Sequence, residues 1–408
     1  MRNSPPLRDG HQIHLIEGGQ AYFEALISAL GQAKSQVHIE TYIFDFHGAA
    51  TLVAEALERA ASRGVRVRVV VDGVGTSGLP PEWRARFARA GVDWRVYSPL
   101  GTWGLLIPSR WRRLHRKLCV IDGHLAFCGG INMLDDWYDP HHGPLVQPRL
   151  DFAVCAKGTL VQQIQETMSQ LWWRIEGVRH VRQQHFPEAF SSFRAAGLHS
   201  PWGQSAEPPK ELRVTKAGLL LRDNVRNRSQ IERAYLKAIG AARHEIVIAN
   251  AYFLPGRRLR KALMHAAQRG VRVRLLLQGR YEYFMQYHAA RPVYGVLLDA
   301  GIDIHEYTAS FLHAKVAVVD PDSDRPWATV GSSNLDPLSL LLAREANVVV
   351  VDKAFAQQLY QRLNWAIEQQ SKPVLAAGYV QRPWHQRLLD RFAFGLMRLA
   401  LFLSGNRY

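Results

Sequence analysis

Apolar positions along the chain form short β-branched runs separated by longer stretches of helical periodicity. The segment AASRGVRVRVVVDG (60–73) closes an Ala-rich amphipathic pattern, turns at Gly64 and enters a run of alternating valines. Further on, AAQRGVRVRLLLQG (266–279) does the same around Gly270. A glycine fits where a helix ends in a left-handed residue, and the β-branched run after it predicts a strand. The likeness extends in both directions. HIETYIF (38–44) is set against IANAYFL (248–254), and ARAGVDWRVYSP (88–99) against LDAGIDIHEYTA (298–309). Each half is expected to run helix, strand, helix, strand, helix, strand, an α/β unit with a parallel or mixed sheet. Ser229 and Glu232 have the spacing of a capping box before the first helix of the second half.

The last helix of the first half is expected at 161–175. Beyond it the periodicity fails, and HSPWGQSAEPPKE (199–211) has linker composition. The expected organisation is a first half over 1–175, a linker over 176–213, a second half over 214–370 and a basic amphipathic tail over 371–408.

After the third such strand of each half stands a repeated polar signature. The first is His115-x-Lys117-x-x-x-x-Asp122 followed by Gly129-Gly130-x-Asn132. The second is His313-x-Lys315-x-x-x-x-Asp320 followed by Gly331-Ser332-x-Asn334. The order recurs, with four more residues after Asp320 than after Asp122; the segment Pro321–Pro326 is expected to form a surface loop. Residues two apart on a strand share a face, so each His should stand beside its Lys. An imidazole can attack phosphorus, and an ammonium can stabilise its equatorial oxygens. The Gly-rich turn can bring an amide and backbone N–H groups to the same anion. A lone copy reads as well as a satisfied histidine beside a surface lysine. Two copies at matching points supply what in-line displacement needs, a nucleophile and an acid.

Charge and cysteine content narrow this picture. With 51 Lys and Arg against 35 Asp and Glu, the formal charge of +16 favours anionic partners, either nucleic acid or an acidic membrane surface. The three cysteines, Cys119, Cys128 and Cys155, have no metal-site spacing, and Cys119 and Cys155 read as buried thiols. Asp135, Asp136, Asp139, His141 and His142 crowd one loop without regular ligand spacing and read as a polar loop. The first residues lack an apolar leader core, and no apolar run is long enough to span a bilayer. The expectation from those features is a chain in the cytoplasm or on the inner face of a membrane.

On the paired HxKxxxxD signatures the sequence resembles the phospholipase D superfamily over nearly its whole length. IANAYFLPG (248–256), HAKVAVVD (313–320), VGSSNLDPLSL (330–340) and EANVVV (345–350) make it most similar to the bacterial cardiolipin synthases of the B type. The resemblance implies two pseudo-symmetric α/β/α sandwich halves sharing one composite active site. It also implies a reaction without metal or cofactor. One phosphatidylglycerol would give its phosphatidyl group to a second, forming cardiolipin and glycerol through a phosphohistidine. The catalytic set implied is His115, Lys117, Asp122, His313, Lys315 and Asp320. His115 would be the nucleophile and His313 the acid and base, although the pseudo-symmetry leaves the reverse open. Asn132, Asn334 and Ser332 would bind the phosphate, with Gly130 lacking the hydroxyl that many relatives carry. Asp122 and Asp320 would brace the turn. Asp151 and Glu345, at matched positions, would each orient an imidazole; the alternative is a surface acid paired with Arg149 or Arg344. A hydrolytic phosphodiesterase or nuclease is the competing activity, and a non-catalytic binding protein is disfavoured by two intact motifs.

Two stretches favour lipid over nucleic acid. GTWGLLIPSRWRR (101–113) mixes Trp103, Leu105, Leu106, Ile107 and Trp111 with arginines, the composition of an interfacial anchor. Its alternative is a loop half in the core. WHQRLLDRFAFGLMRLALFLSGNRY (384–408) has an apolar stripe bordered by Arg387, Arg391 and Arg398, suited to lying in an interface or packing back on the domain. The partners expected are therefore phosphatidylglycerol and the membrane surface. The location expected is peripheral, on the cytoplasmic face of a bacterial inner membrane, with the oligomeric state left open.

Overall fold

The computed structural model describes residues 7–76, 78–101, 108–139, 142–197, 215–223, 227–280, 284–336, 343–376, 388–390, 392 and 395–396. The chain separates into two compact units. The N-terminal unit holds residues 6–135 and 153–219, and the C-terminal unit holds 136–152 and 220–408 together with the first five residues. The cut is not the expected one: residues 136–152 leave the first half and join the second.

The N-terminal unit begins with β1 (Arg8–Glu17), α1 (Gly18–Gln32), β2 (Gln36–Thr41), α2 (Ala49–Ser62), β3 (Arg66–Asp72), α3 (Pro81–Ala90) and β4 (Asp93–Tyr97). A 3-10 turn (Pro108–Trp111) and β5 (Arg113–Leu114) lead to β6 (Lys117–Ile121) and β7 (Leu125–Gly129). The short strands β8 (Tyr138–Asp139) and β9 (Gly143–Pro144) pair with each other in the C-terminal unit. The chain then returns through β10 (Phe152–Gly158), α4 (Thr159–Arg182), α5 (Phe186–Gly197) and β11 (Thr215–Arg222). The sheet order is β11-β1-β10-β7-β6-β2-β3-β4. Strands β2, β3 and β4 are parallel, as the helical crossovers demand, whereas β6, β7 and β10 are antiparallel. Along β3 the pleat sends Val67, Val69 and Val71 into a core with Leu26, Leu57 and Phe87 of α1, α2 and α3. Val70 faces the other way, against Leu171 and Trp172 of α4. Helices thus cover both faces.

The C-terminal unit repeats the plan with α6 (Gln230–Ala241), β12 (Glu245–Asn250), α7 (Arg257–Gln268), β13 (Arg272–Gln278), α8 (Phe284–Asp299), β14 (Asp303–Tyr307), β15 (Lys315–Val319), β16 (Trp327–Gly331), β17 (Ala343–Val351), α9 (Lys353–Gln370) and β18 (Ser371–Pro373). Its strand order is β18-β14-β13-β12-β15-β16-β17. Strands β12, β13 and β14 are parallel and β15, β16 and β17 antiparallel, matching the first unit strand for strand.

Several expectations change on the structure. Residues 176–197 are not linker: α4 runs on to Arg182, and α5 packs Ala189, Ser192 and Ala196 inward. The segment 199–211 lies outside the described residues. Residues 371–373, expected to open the tail, pair with β14 and close the sheet. Strands β1 and β11 precede the first helix of each half, and neither was anticipated. The repeat is also offset by one residue around β2. Val37 pairs with Ile121 as Ile246 pairs with Val319, which sets Thr41 against Asn250 and Phe44 against Phe253. Ser229 does cap α6 in position, but its side chain makes no capping hydrogen bond. Cys119 and Cys128 are buried free thiols, and Cys155 is half-buried.

The expected bracing by the signature aspartates has a definite geometry. Asp122 and Asp320 adopt left-handed backbone, φ 51° and 47°, just past β6 and β15. Asp122 accepts the backbone N–H groups of Lys34 (2.8 Å), Ser35 (2.7 Å) and Gln36 (2.9 Å). Asp320 accepts those of Arg243 (2.8 Å), His244 (2.8 Å) and Glu245 (2.9 Å). Each carboxylate therefore satisfies the amides that enter β2 or β12 and sets the register of the motif strand beside it. Burial alone would raise the Asp122 carboxyl, but the hydrogen bonds from Gln36, Lys34 and Ser35 outweigh it and hold the group below its ordinary 3.8. The charged form is the stabilising one. Its contribution is complete above the unfolded value and is lost as pH falls through the lower folded value. Asp122→Asn should lower unfolding free energy at pH 7 by about 1–2 kcal/mol. It should also flatten the acid-side loss of stability below pH 3.8, as read from urea titrations at stepped pH; an unchanged acid slope would contradict the clamp.

Candidate active site

Both signature histidines stand just upstream of their strands, on backbone that the sheet has not yet taken up, and both are half-buried. The lysines open β6 and β15 and are buried, Lys117 at 2 % exposure and Lys315 at 0 %. Burial of an ammonium requires partners. Lys117 Nζ donates to the backbone carbonyl of His115 at 2.7 Å, and Lys315 Nζ donates to that of His313. The Lys thus fixes the peptide that carries its own His, a link that i to i+2 geometry allows but spacing alone did not disclose.

The best-defined contact of a signature histidine lies within the C-terminal unit. His313 Nδ1 stands 2.6 Å from Asp151 Oδ2. The backbone enforces this. Leu150 N donates to Phe311 O (3.0 Å), and His313 N donates to Leu150 O (2.9 Å), forming a parallel bridge between Leu150 and Leu312. Asp151 is 3 % exposed, and its other oxygen accepts the N–H of Phe152 at 2.8 Å. A buried carboxylate at Nδ1 selects the tautomer with the proton there and leaves Nε2 as the reactive nitrogen. The segment leading to Asp151 is itself braced. Arg149 pairs with Asp139 at 2.7 Å, His142 Nδ1 meets Asp139 Oδ1 at 3.0 Å, and Ser310 donates to Gln147 O at 2.6 Å. Arg149 is thus engaged with Asp139. His141 lies outside the described residues. Asp135 accepts the N–H of Ala49 at 3.2 Å.

Glu345, fully buried, accepts the hydroxyl proton of Ser332. Ser332 Oγ also accepts Ala346 N at 3.1 Å. Ser332 therefore positions Glu345 and the β16–β17 corner, with its hydroxyl turned to the carboxylate. The corner tolerates no side chain before it, since a Cβ at Gly331 would fall 2.3 Å from Asn347 Cγ and 2.6 Å from Ala346 O. Asn132 Oδ1 accepts Ile43 N at 3.2 Å, which leaves its Nδ2 end as the donor for an anion. Asn334 is 2 % exposed, and its Oδ1 has no hydrogen-bond partner among the described residues.

Around His115 the structure adds residues that the sequence did not single out. The Tyr42 ring lies 5.0 Å from the imidazole and 5.5 Å from Lys117 Nζ, centroid distances that allow ring packing and a cation–π contact. Arg116, pointing away from His115 and Lys117, forms a buried ion pair with Glu40 and donates to Thr167 O at 3.3 Å. Asp72 accepts Leu114 N at 2.7 Å and pairs with Arg113 at 3.0 Å, fixing the chain just before His115. Arg116 and Glu40 could have been suspected from an acid within β2 opposite an Arg inside the motif; Tyr42 gave no distinguishing signal. Trp111 is 40 % exposed on the 3-10 turn, while Trp103, Leu105, Leu106 and Ile107 lie outside the described residues.

The family model described as "Cardiolipin synthase, PLD-like domain" matches residues 26–172 and 235–367. Cardiolipin synthase B of Escherichia coli K12 is 35% identical over 400 residues, 96% of this chain and 89% of that protein. The chain belongs to this family. Cardiolipin synthase 2 of Bacillus anthracis is 29% identical over 377 residues, 92% of this chain and 68% of that protein. Among solved structures, the phosphatidylserine synthase of Haemophilus influenzae Rd KW20 shares the fold, with TM-score 0.67 over 95% of both chains at 14% identity. In this cardiolipin synthase-family chain the Asp151–His313 pair yields a direct expectation. Asp151→Asn keeps the acceptor for Phe152 N but loses the charge opposite His313. Turnover should fall about 10²- to 10⁴-fold with little change in KM and an unaltered melting curve, whereas wild-type kcat in the variant would remove Asp151 from the mechanism.

Proposed function

We propose that the chain makes cardiolipin from two molecules of phosphatidylglycerol, releasing glycerol, with both signature motifs serving one reaction. The observation that carries this reading is the near full-length likeness to a cardiolipin synthase together with the duplicated His–Lys signatures. The enzyme is a phosphatidyltransferase of the phospholipase D superfamily.

In the first step the His115 imidazole attacks the phosphorus of one phosphatidylglycerol. The bond from phosphorus to the head-group glycerol breaks, and that glycerol leaves with a proton from His313. In the second step a hydroxyl of the other phosphatidylglycerol yields its proton to His313 and attacks the phosphohistidine. Cardiolipin forms and His115 is released. The Asp151 carboxylate suits His313 to the proton-transfer role, because it steadies the imidazolium that each half-reaction needs. Lys117, Lys315, Asn132 and Asn334 hold the phosphate oxygens.

The membrane assignment rests on the tail. Among the described residues no helix is long and apolar enough to cross a membrane. In the tail, Leu388, Phe392 and Leu396 recur at one-turn spacing and are all exposed, while Asp390 is buried 2.7 Å from His288. A helix held by its polar side with its apolar side outward fits an interfacial location, and the enzyme acts as a peripheral protein on the cytoplasmic face of the inner membrane.

Purified protein given phosphatidylglycerol vesicles without added metal should form cardiolipin and glycerol in equal amounts by mass spectrometry. His115→Ala and His313→Ala should each lower the rate by at least about a thousandfold. Phosphatidic acid as the sole product would make the enzyme a hydrolase, and cardiolipin formation by either variant at the wild-type rate would overturn the paired-histidine mechanism.

A further inference from the structure

The helical pair that replaces the expected linker carries an apolar surface that no part of the catalytic account uses. On α5, Phe186, Phe190 and Phe193 are 63 %, 72 % and 44 % exposed; on α4, Val178 and Val181 are 46 % and 44 % exposed. Two contacts orient the helices. His180 Nδ1 meets Ser192 Oγ at 3.2 Å, and the Phe193 ring lies over Gly177, where a Cβ would meet it at 2.7 Å. Moving from the His180–Ser192 contact to the Gly177–Phe193 contact goes toward one side of the pair. Val178 and Val181 lie on that side of α4, next to Gly177 and one turn beyond it. Phe186 and Phe190 lie on that side of α5, two turns and one turn before Phe193 respectively. The five side chains therefore form one stripe.

The rim of the stripe is basic. Arg182 stands one turn after Val178 and Arg194 one turn after Phe190, both exposed on its outer margins. The acid of α5, Glu188, projects from the opposite side of its helix. Glu176 is turned inward, 2.5 Å from Arg95. An uncharged aromatic centre between arginines matches an anionic bilayer surface: phenyl rings enter the acyl boundary while guanidinium groups stay with lipid phosphates. A protein partner would more often meet an aromatic stripe with polar rim groups of both signs.

We propose that the α4–α5 hairpin is a membrane-docking element that seats Phe186, Phe190 and Phe193 in the surface of an anionic phospholipid bilayer. The proposal deepens the reading of the chain as a lipid-modifying enzyme and rests on it for the choice of lipid as occupant. The hairpin belongs to the N-terminal unit and the tail stripe to the C-terminal unit, so each unit has its own lipid contact.

The test measures binding apart from turnover. Full-length wild type and the Phe186→Ser/Phe190→Ser double variant are floated with vesicles of phosphatidylglycerol and phosphatidylcholine, and with phosphatidylcholine alone. Synthesis is assayed separately in detergent micelles containing phosphatidylglycerol. The double variant should bind the anionic vesicles at least about tenfold more weakly, melt like wild type and keep its micellar rate. Arg182→Glu/Arg194→Glu should weaken binding to the anionic vesicles alone. A second readout guards against misfolding: Phe190→Cys labelled with an environment-sensitive dye. The chain's own thiols should not compete, since burial pushes Cys128 up to about 12 and Cys155 up to about 11, and Cys119 higher still. The dye should shift to the blue on adding anionic vesicles, and the same dye at Leu52→Cys on α2 should not. Unchanged flotation of the double variant, or no shift at position 190, overturns the proposal. So does a change of oligomeric state with binding intact, which would make the stripe a contact between copies. Loss of flotation in a preparation whose wild type makes no cardiolipin would sink the catalytic reading and leave the docking surface standing.

Discussion

The contact that most constrains the candidate site is the carboxylate–imidazole pair of Asp151 and His313. Asp151 lies 162 residues before His313, and bringing the two together requires the chain to leave the N-terminal unit after Asp135 and return at Ala153. The detour is anchored at its far end by the Asp139–Arg149 ion pair and at its near end by the Leu150–Leu312 bridge. An ionised carboxylate with 3 % exposure is costly unless its oxygens are satisfied. Here one oxygen takes a backbone amide and the other the imidazole, so the fold pays for burial by defining the histidine's tautomer.

Duplication supplies the frame and local substitutions break its symmetry. In both units the aspartate of the signature gathers three backbone amides and sets the motif strand against its neighbour. Between His and Lys, however, the first motif has Arg116, neutralised by Glu40 in the sheet, whereas the second has Ala314. At the turn the first has Gly130 and the second Ser332, whose hydroxyl is bound to Glu345. Tyr42 packs beside His115, while the register places Ala251 at the equivalent point just past β12. Two imidazoles presented by the same scaffold thus meet different neighbours.

The sequence disclosed what depends on local period and spacing. Gly64 and Gly270 end helices in left-handed backbone, and the apolar runs after them are strands with parallel neighbours on both sides. The motif strands follow from four apolar residues after each Lys. What it concealed depends on distant partners. The one-residue offset at β2 arises because register is set by Asp122 and Asp320, far along the chain, and not by the likeness of HIETYIF to IANAYFL. Strand β1 has an irregular inward pattern with a shift in its pairing between Arg8 and His11, so alternation was weak. The α4–α5 hairpin reads as linker because its outward face carries the apolar side chains, the reverse of a helix that packs by its hydrophobic stripe. The bond from the Ser332 hydroxyl to Glu345 was not legible either. It is a tertiary fact.

The tautomer of His313 tests the central claim most directly. With nitrogen-15 in the histidine rings, long-range proton–nitrogen correlation of wild type and Asp151→Asn near neutral pH separates the two neutral forms. The account predicts that His313 carries its proton on Nδ1 in wild type, with a low-field proton from the bond to Asp151 that disappears in the variant. A His313 protonated on Nε2 in wild type, or a spectrum indifferent to loss of the Asp151 charge, would contradict it.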